Sequence, residues 1–286
     1  MKTIRKSILV LFALSIALSR VMAIDCLSLE EAGKRGLVKL VIKSKGGCTG
    51  QVIEMKIKNL GHQLLNLKLE AGRRLDSKND SQQDILVTKS EEFAVSNNED
   101  KTLHVYGMCC QAHNSGPTNN SEYSIGRMAD SNLVKLAEFI DKNKYFSSCA
   151  SQHAIWAISD GNSIGGISGD NKYESDKLKK YVSKLTGRPI PKYNVDYAIE
   201  GSDETMGRAR KIEGTFEYTL PANAHVSLAI YDSTGTLVQT LFKEEAHQSG
   251  DYKLYYTFRT AHLDQGTYYA RLKMDGMTQK EMKIEF

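Results

Sequence analysis

The sequence lacks the fingerprints of the common cofactor-dependent and metal-dependent enzymes. It contains no glycine-rich dinucleotide fingerprint, no phosphate-binding loop and no zinc-protease helix. It also shows no internal repeat. Hydrophobic residues make up 41% of the chain and charged residues 25%, which are ordinary values for a globular protein. The sequence therefore gives little support for enzymatic turnover, and we expect no cofactor and no bound metal.

Long apolar runs and an excess of charge are missing as well. The apolar run over residues 8–18 is short for a membrane span, and it follows the basic residues Lys2, Arg5 and Lys6. Together with a small-residue cleavage site, this pattern predicts a cleaved signal peptide over residues 1–23. Its four basic residues account for the whole formal charge of +4. We therefore expect an exported chain with no stable membrane span in its mature form and no affinity for nucleic acid.

Cysteine is scarce but informative in an exported chain. In an oxidising compartment cysteines are expected to pair, and an odd number leaves one over. That leftover cysteine is a candidate for chemistry. The five cysteines are Cys26, Cys48, Cys109, Cys110 and Cys149.

The first part of the mature chain has the pattern of short strands separated by turn clusters. Apolar residues recur at every second position, most clearly in Ile53, Met55 and Ile57. This pattern is typical of an immunoglobulin-like β-sandwich. The predicted strands are residues 37–42, 51–59, 64–69, 84–88, 91–95 and 101–108.

The pattern changes after His113, where residues 114–120 are predicted to form a loop. Helical spacing then predicts helices over residues 131–142, 147–161 and 173–185. These helices have no strand partners of their own. We expect them to pack on the preceding sandwich, so that residues 24–187 form one α+β unit.

The rest of the chain is predicted to be a linker followed by a second sandwich. Residues 188–213 contain Pro189, Pro191 and a polar run, and we interpret them as an extended linker. Residues 214–286 alternate strands with turns and form an immunoglobulin-like β-sandwich held by aromatic packing. The predicted fold class is therefore mainly β with a helical insertion.

The C-terminal residues carry a resemblance to known bacterial domains. Residues 228–238, residues 264–272 and the closing strand resemble FlgD-like immunoglobulin folds and the C-terminal sorting domains of type IX secretion. The resemblance implies a protein that crosses the periplasm, reaches the outer cell surface or is secreted, and interacts with the secretion machinery. A plain adhesive β-sandwich is the alternative.

A second resemblance lies in the helix that holds the only tryptophan. The run Gln152-His153-Ala154-Ile155-Trp156 resembles the Gln-x-Ala-Ile-Trp signature of bacterial surface thioester domains. In that family a cysteine on an upstream strand acylates itself on the glutamine. The matching cysteine here is Cys109, 43 residues earlier. The resemblance implies adhesion by covalent attachment to an extracellular protein or glycan that the sequence does not name.

This second resemblance has departures and leaves alternatives open. Met108 stands where an aromatic residue or leucine is expected, and Ser151 stands where an apolar residue is expected. Cys110 is adjacent to Cys109, so either sulfur is a candidate. If Cys26 pairs with Cys48 and Cys110 with Cys149, Cys109 alone remains, although other pairings are equally open. The assisting and binding residues predicted beside the Cys–Gln pair are His153, Trp156, Tyr106 and His113.

Three other interpretations of the same residues compete with the thioester. Cys109, His153 and Asp160 could form a cysteine-hydrolase triad, since triads are assembled in space. Cys109, Cys110 and His113 cluster as metal ligands do, but adjacent cysteines strain tetrahedral zinc. The run from Asp160 begins like a calcium loop and then departs from it. A module that binds its partner without a covalent bond is a further alternative.

Overall fold

The computed structural model describes residues 26–197 and 208–286. The predicted signal peptide, residues 1–23, and part of the predicted linker lie outside these residues. Among the described helices, none is both long and apolar enough to cross a lipid bilayer. The described chain is mainly β with a helical insertion, which confirms the predicted fold class.

The N-terminal unit contains two β-sheets. Its strands are β1 (Leu27–Ser28), β2 (Val38–Lys45), β3 (Ile53–Asn59), β4 (Leu65–Leu69), β5 (Arg73–Ser77), β6 (Ile85–Val87), β7 (Glu91–Val95), β8 (Asp100–Val105), β9 (Gly107–Cys109) and β10 (Asn119–Met128). One sheet has seven strands in the order β8-β3-β2-β10-β5-β6-β9, and the other has three in the order β1-β4-β7.

The period-two pattern explains how the two sheets pack. Ile53, Met55 and Ile57 of β3 are buried at alternate positions, and they share one core with Leu67 and Leu69 of β4. Successive side chains of a strand point to opposite faces, so this spacing places all three on the covered face of the seven-stranded sheet. A fully buried side chain of this size contributes about 1.5–3 kcal/mol.

The strand β10 was not predicted. It lies between β2 and β5 near the centre of the large sheet, and it begins within the stretch predicted as a loop. Only Tyr123 and Gly126 of its ten residues are buried, so the sequence carries no clear apolar alternation. Its position is set by pairing with neighbours on both sides and not by its own pattern.

Four helices accompany these sheets, namely α1 (Leu29–Lys34), α2 (Ser131–Asn143), α3 (Cys149–Ser159) and α4 (Lys172–Thr186). The last three match the predicted helices, whereas α1 was not predicted. Ser148 begins α3 because its side chain accepts a hydrogen bond from the Ala150 N–H at 3.2 Å. Helices α2 to α4 form a second core with Leu86 of β6 and Met108 of β9.

The C-terminal unit is a seven-stranded sandwich with one core. Its strands are β11 (Tyr193–Tyr197), β12 (Ala209–Leu220), β13 (Ala224–Asp232), β14 (Leu237–His247), β15 (Gly250–Arg259), β16 (Thr267–Met274) and β17 (Met277–Glu285). They form two antiparallel sheets in the orders β11-β12-β15 and β14-β13-β16-β17. Phe216, Leu228 and Phe258 are buried between the sheets.

The described part of the predicted linker is largely strand. β11 pairs with the first half of β12, which itself begins at Ala209 and not at residue 214. Tyr193, Val195 and Tyr197 are buried at alternate positions, so the five residues of β11 carry a period-two pattern. The polar run Glu200 to Glu204, on which the linker prediction also rested, lies outside the described residues.

A pair of glycine substitutions tests the packing of β11 against the helical part of the N-terminal unit. A Cβ on Gly166, in the short 3-10 helix Ile164–Gly166, would lie 2.1 Å from a ring carbon of Tyr197. We expect Gly166→Ala to lower the free energy of unfolding by about 1–3 kcal/mol. Gly266→Ala is the control, since its Cβ would enter open space. Urea unfolding curves measure both, and equal effects would contradict the packing.

Candidate functional site

The candidate site begins at β9, the edge strand of the seven-stranded sheet. β9 pairs with β6, with Cys109 opposite Ile85. Gly107 allows this pairing, because a Cβ there would lie 2.4 Å from Cγ2 of Ile85. Cys109 is fully buried and belongs to the sandwich core.

Helix α3 covers this edge with one of its faces. Gln152, Trp156 and Asp160 are spaced by four residues, so they lie on the same side of the helix and its C-cap. The side chain of Gln152 contacts Cys109, that of Trp156 contacts Gln83, and that of Asp160 accepts a hydrogen bond from the Ala112 N–H at 2.9 Å. The helix is therefore held at three points along its length.

The contact between Gln152 and Cys109 is reciprocal. The Cys109 N–H donates to Oε1 of Gln152 at 2.8 Å, and Nε2 of Gln152 donates to the Cys109 carbonyl at 2.7 Å. Gln152 is 2% exposed and Cys109 is 0% exposed. The carboxamide thus occupies the position that a neighbouring strand would take along the edge of β9.

Trp156 lies inside the protein and not at a binding surface. It is 2% exposed, and its Nε1–H donates to Oε1 of Gln83 at 3.3 Å. The hydroxyl of Tyr123 donates to the backbone carbonyl of the same Gln83 at 3.0 Å. This burial favours a packing role for Trp156 over the predicted binding role, which stays an untested prediction. Gln83 was not predicted, since it stands in a polar run with no recognisable pattern.

The two adjacent cysteines lie in different cores. Cys109 is in the sandwich core with Trp156, whereas Cys110 is in the helical core with Leu133. Burial raises the pKa of the Cys110 thiol to about 12, and the nearby carboxylate of Asp84 acts in the same direction. The thiolate is the nucleophilic form of cysteine, so Cys110 is a poor nucleophile.

The predicted disulfides are not formed in the structure. All five cysteines lie among the described residues, and none of them is in a disulfide. Cys110 is buried in the helical core, while Cys149 is exposed at the first residue of α3. Cys26 is half-buried before β1, and burial raises the pKa of its thiol. The pairings Cys26–Cys48 and Cys110–Cys149 therefore remain unsupported predictions.

The groups predicted to form a hydrolase triad have other partners. Nδ1 of His153 lies 3.2 Å from the Ser168 carbonyl, and burial lowers the pKa of the imidazole. Asp160 accepts hydrogen bonds from the Ala112 N–H and the Ser159 hydroxyl. In these contacts Asp160 does not orient His153, so the geometry does not favour a triad.

The remaining predicted residues lie at the margin of the site. The ring of Tyr106 is half-buried and packs 4.5 Å from that of Phe146. His113 is exposed in the turn that follows β9. Within the described ranges no group of three or more His, Cys, Asp or Glu side chains could hold a metal ion. The Cys109–Gln152 pair is therefore the best-defined chemical group of this region.

The burial of His153 predicts how stability depends on pH. Because burial lowers its pKa below the ordinary value of 6.5, the unfolded chain binds this proton more readily than the folded protein. We expect the contribution of His153 to be constant above about pH 6.5 and the free energy of unfolding to fall as the pH drops below it. Urea unfolding at about pH 7.5 and about pH 5.5 measures this loss, which should be smaller in His153→Asn. Equal losses in both proteins would contradict it.

Comparisons with known proteins add a distant likeness to a solved structure. No protein-family model matches the chain, and no curated protein matches it. Among solved structures it is similar to the crystal structure of red sea bream transglutaminase, with 10% sequence identity and a TM-score of 0.20. The likeness covers 90% of this chain and 33% of the transglutaminase chain, so this chain spans a third of that protein's length. A likeness at this level carries no argument about function, which depends on the geometry described above.

Proposed function

We propose that this chain is an exported binding protein that attaches covalently to its partner through a thioester between Cys109 and Gln152. The partner is an extracellular protein or glycan that presents an amine or a hydroxyl group. The observation that carries the proposal is the reciprocal pair of hydrogen bonds between the Gln152 carboxamide and the backbone of Cys109.

The chemistry has two steps, thioester formation and transfer to the partner. Sγ of Cys109 attacks Cδ of Gln152, a C–S bond forms, the C–N bond breaks, and the nitrogen leaves as ammonia with the thiol proton. An amine of the partner then attacks the same carbon, the C–S bond breaks, and the Cys109 thiol is regenerated. The product is an amide bond between residue 152 and the partner.

The surroundings of the pair support the first step. The Cys109 N–H already donates to Oε1 of Gln152, so the same donor can hold the oxygen as negative charge develops during attack. Both residues are buried, which excludes water from a bond that water would otherwise hydrolyse. The Gln152 carboxamide contacts the backbone of Cys109, and Cys110 lies in the other core, so the geometry favours Cys109 as the sulfur donor.

The C-terminal sandwich supports the export part of the proposal. Its seven strands form the two-sheet arrangement of an immunoglobulin-like domain. The FlgD-like and sorting-domain resemblance lies in β13, β16 and β17 of this unit. We propose that it anchors the protein at the outer cell surface or directs it through type IX secretion.

A second candidate follows from the same two hydrogen bonds. The carboxamide of Gln152 satisfies the N–H and C=O of a buried edge residue, and this alone is sufficient reason for a buried glutamine. On this interpretation Gln152 is a structural clamp, and the protein binds its partner without a covalent bond.

Mass spectrometry separates the two candidates. A thioester lowers the mass of the intact, non-reduced protein by roughly 17 Da, because ammonia is lost. Methylamine should then add roughly 31 Da to the thioester form and place the label on residue 152. We expect Cys110→Ala to retain both changes and Cys109→Ala to lose both.

The Cys109→Ala variant also serves as the structural control. It keeps the backbone N–H and C=O that Gln152 contacts, so the clamp persists without the sulfur. An unshifted wild-type mass with no methylamine adduct would exclude the thioester and support the structural clamp.

The clamp itself predicts a stability loss when its side chain is shortened. Gln152→Ala leaves the buried N–H and C=O of Cys109 without their partners from residue 152. We expect the free energy of unfolding to fall by about 2–5 kcal/mol, measured by urea unfolding on the Cys109→Ala background, where no thioester can form. Ser159→Ala, on the same helix but outside this contact, should cost less than about 1 kcal/mol. A Gln152→Ala loss as small as that of the control would contradict the clamp.

A further inference from the structure

The C-terminal sandwich contains a strand edge that is only half covered. β11 pairs with β12 from Ala209 to Gly214, whereas β15 pairs with β12 from Lys211 to Leu220. Among the described residues, 215–220 of β12 therefore have a strand partner on one side only. Thr215, Phe216 and Glu217 of this stretch line a cleft of about 1400 Å³ between the two units.

The course of the chain before β11 leaves the gap. If the chain ran straight backwards from Tyr193, it would pair with residues 215–220. Instead the segment over Pro189 and Pro191 leaves this line, and the pairing with β12 ends at Tyr193. The chain turns away towards Gly187, the C-cap of α4, and this segment forms one wall of the cleft.

The direction of the backbone groups can be read from two contacts. The carbonyl of Arg210 accepts a hydrogen bond from the Thr260 N–H on the β15 side. The carbonyl of Glu217 accepts from Nζ of Lys280 on the opposite side. The β12–β15 register has no bulge, so even-numbered residues face β15 and odd-numbered residues face the other side, which β11 covers as far as Gly214. Thr215, Glu217 and Thr219 thus present their N–H and C=O groups on the uncovered side.

The far wall of the cleft is β17, the edge strand of the other sheet. Phe216 and Met282 supply apolar surface at the bottom, where the two sheets part. Lys280 reaches across the cleft, and its Nζ donates a hydrogen bond to the Glu217 carbonyl on the uncovered side of β12. The cleft is therefore a partly apolar groove beside a row of backbone donors and acceptors.

We propose that this groove binds an extended peptide segment of a partner protein, which adds as a strand along residues 215–220 of β12. Backbone N–H and C=O groups at strand spacing are complementary to an extended polypeptide, and the apolar floor favours an apolar side chain at every second position. The space lies between two walls, so it admits a single strand and not the folded sandwich of a second copy. This inference is independent of the Cys109–Gln152 thioester.

Hydrogen exchange on the full mature chain tests the proposal directly. The probe is a library of eight-residue peptides with Val, Ile, Leu or Phe at alternate positions and Glu, Thr or Ser between them. With the tightest binder, exchange of the Thr215, Glu217 and Thr219 amides should slow by about tenfold or more, while the amides of residues 216, 218 and 220 should not change. Protection without this alternation, or no binder in the library, would overturn the proposal.

Methylated peptides provide a control on the ligand. Two versions of the tightest binder are made. One carries N-methyl groups on its odd-numbered residues, and the other carries them on its even-numbered residues. A strand that pairs along one edge only should lose binding with one set and keep it with the other. Binding by both versions, or by neither, would overturn strand addition.

A lysine substitution distinguishes backbone pairing from attraction between charges. Lys280→Met removes the donor that now occupies the Glu217 carbonyl, so the peptide should bind about three- to tenfold more tightly. Lys273→Met is the matched control, because it removes one charge from the neighbouring strand β16 and should change affinity less than about twofold. Unchanged or weaker binding to Lys280→Met would contradict the proposal, as would a dimer of the chain that protects residues 215–220 without peptide.

Discussion

The N-terminal unit depends on how the edge of its large sheet is closed. β9 is the last strand of that sheet in the described chain, and no further described strand reaches the N–H and C=O of its Cys109. The carboxamide of Gln152 supplies both missing partners from a helix. An amide side chain has the same donor and acceptor as a peptide group, so it can replace one residue of a strand. This requirement fixes the position and rotation of α3, and with them the place of Trp156.

The backbone groups at β9 and along the second half of β12 are satisfied in two different ways. At β9 a buried glutamine from a packed helix satisfies the edge, and the contact is shielded from solvent. At β12 the recorded contact is a lysine from a neighbouring sheet, on a long and flexible side chain. A buried amide in contact with a cysteine backbone is suited to a structural clamp or to thioester formation. An ammonium group that can swing away is suited to an edge that a ligand covers.

The sequence predicted the parts of the site that depend on local spacing. The four-residue steps from Gln152 to Trp156 place both side chains on one helix face, and the Gln-x-Ala-Ile-Trp signature pointed to Cys109 as the partner. Gln83 could not be found in this way, because its contacts with Trp156 and Tyr123 join positions far apart in the chain. The strand β10 was missed for the same reason, since pairing partners define it and its own residues are mostly polar.

The two units meet close to the candidate site, which gives the C-terminal sandwich a part in positioning α3. The Tyr197 hydroxyl accepts a hydrogen bond from the Ser163 N–H at 2.9 Å, and the Tyr197 ring lies 6.2 Å from that of His153. His153 is the neighbour of Gln152, and its Nδ1 contacts the Ser168 carbonyl, which lies with Ser163 in the loop between α3 and α4. The loop is therefore held between α3 on one side and β11 on the other. A chain that lost β11 would expose this side of α3, so the second sandwich contributes to the environment of the Cys–Gln pair.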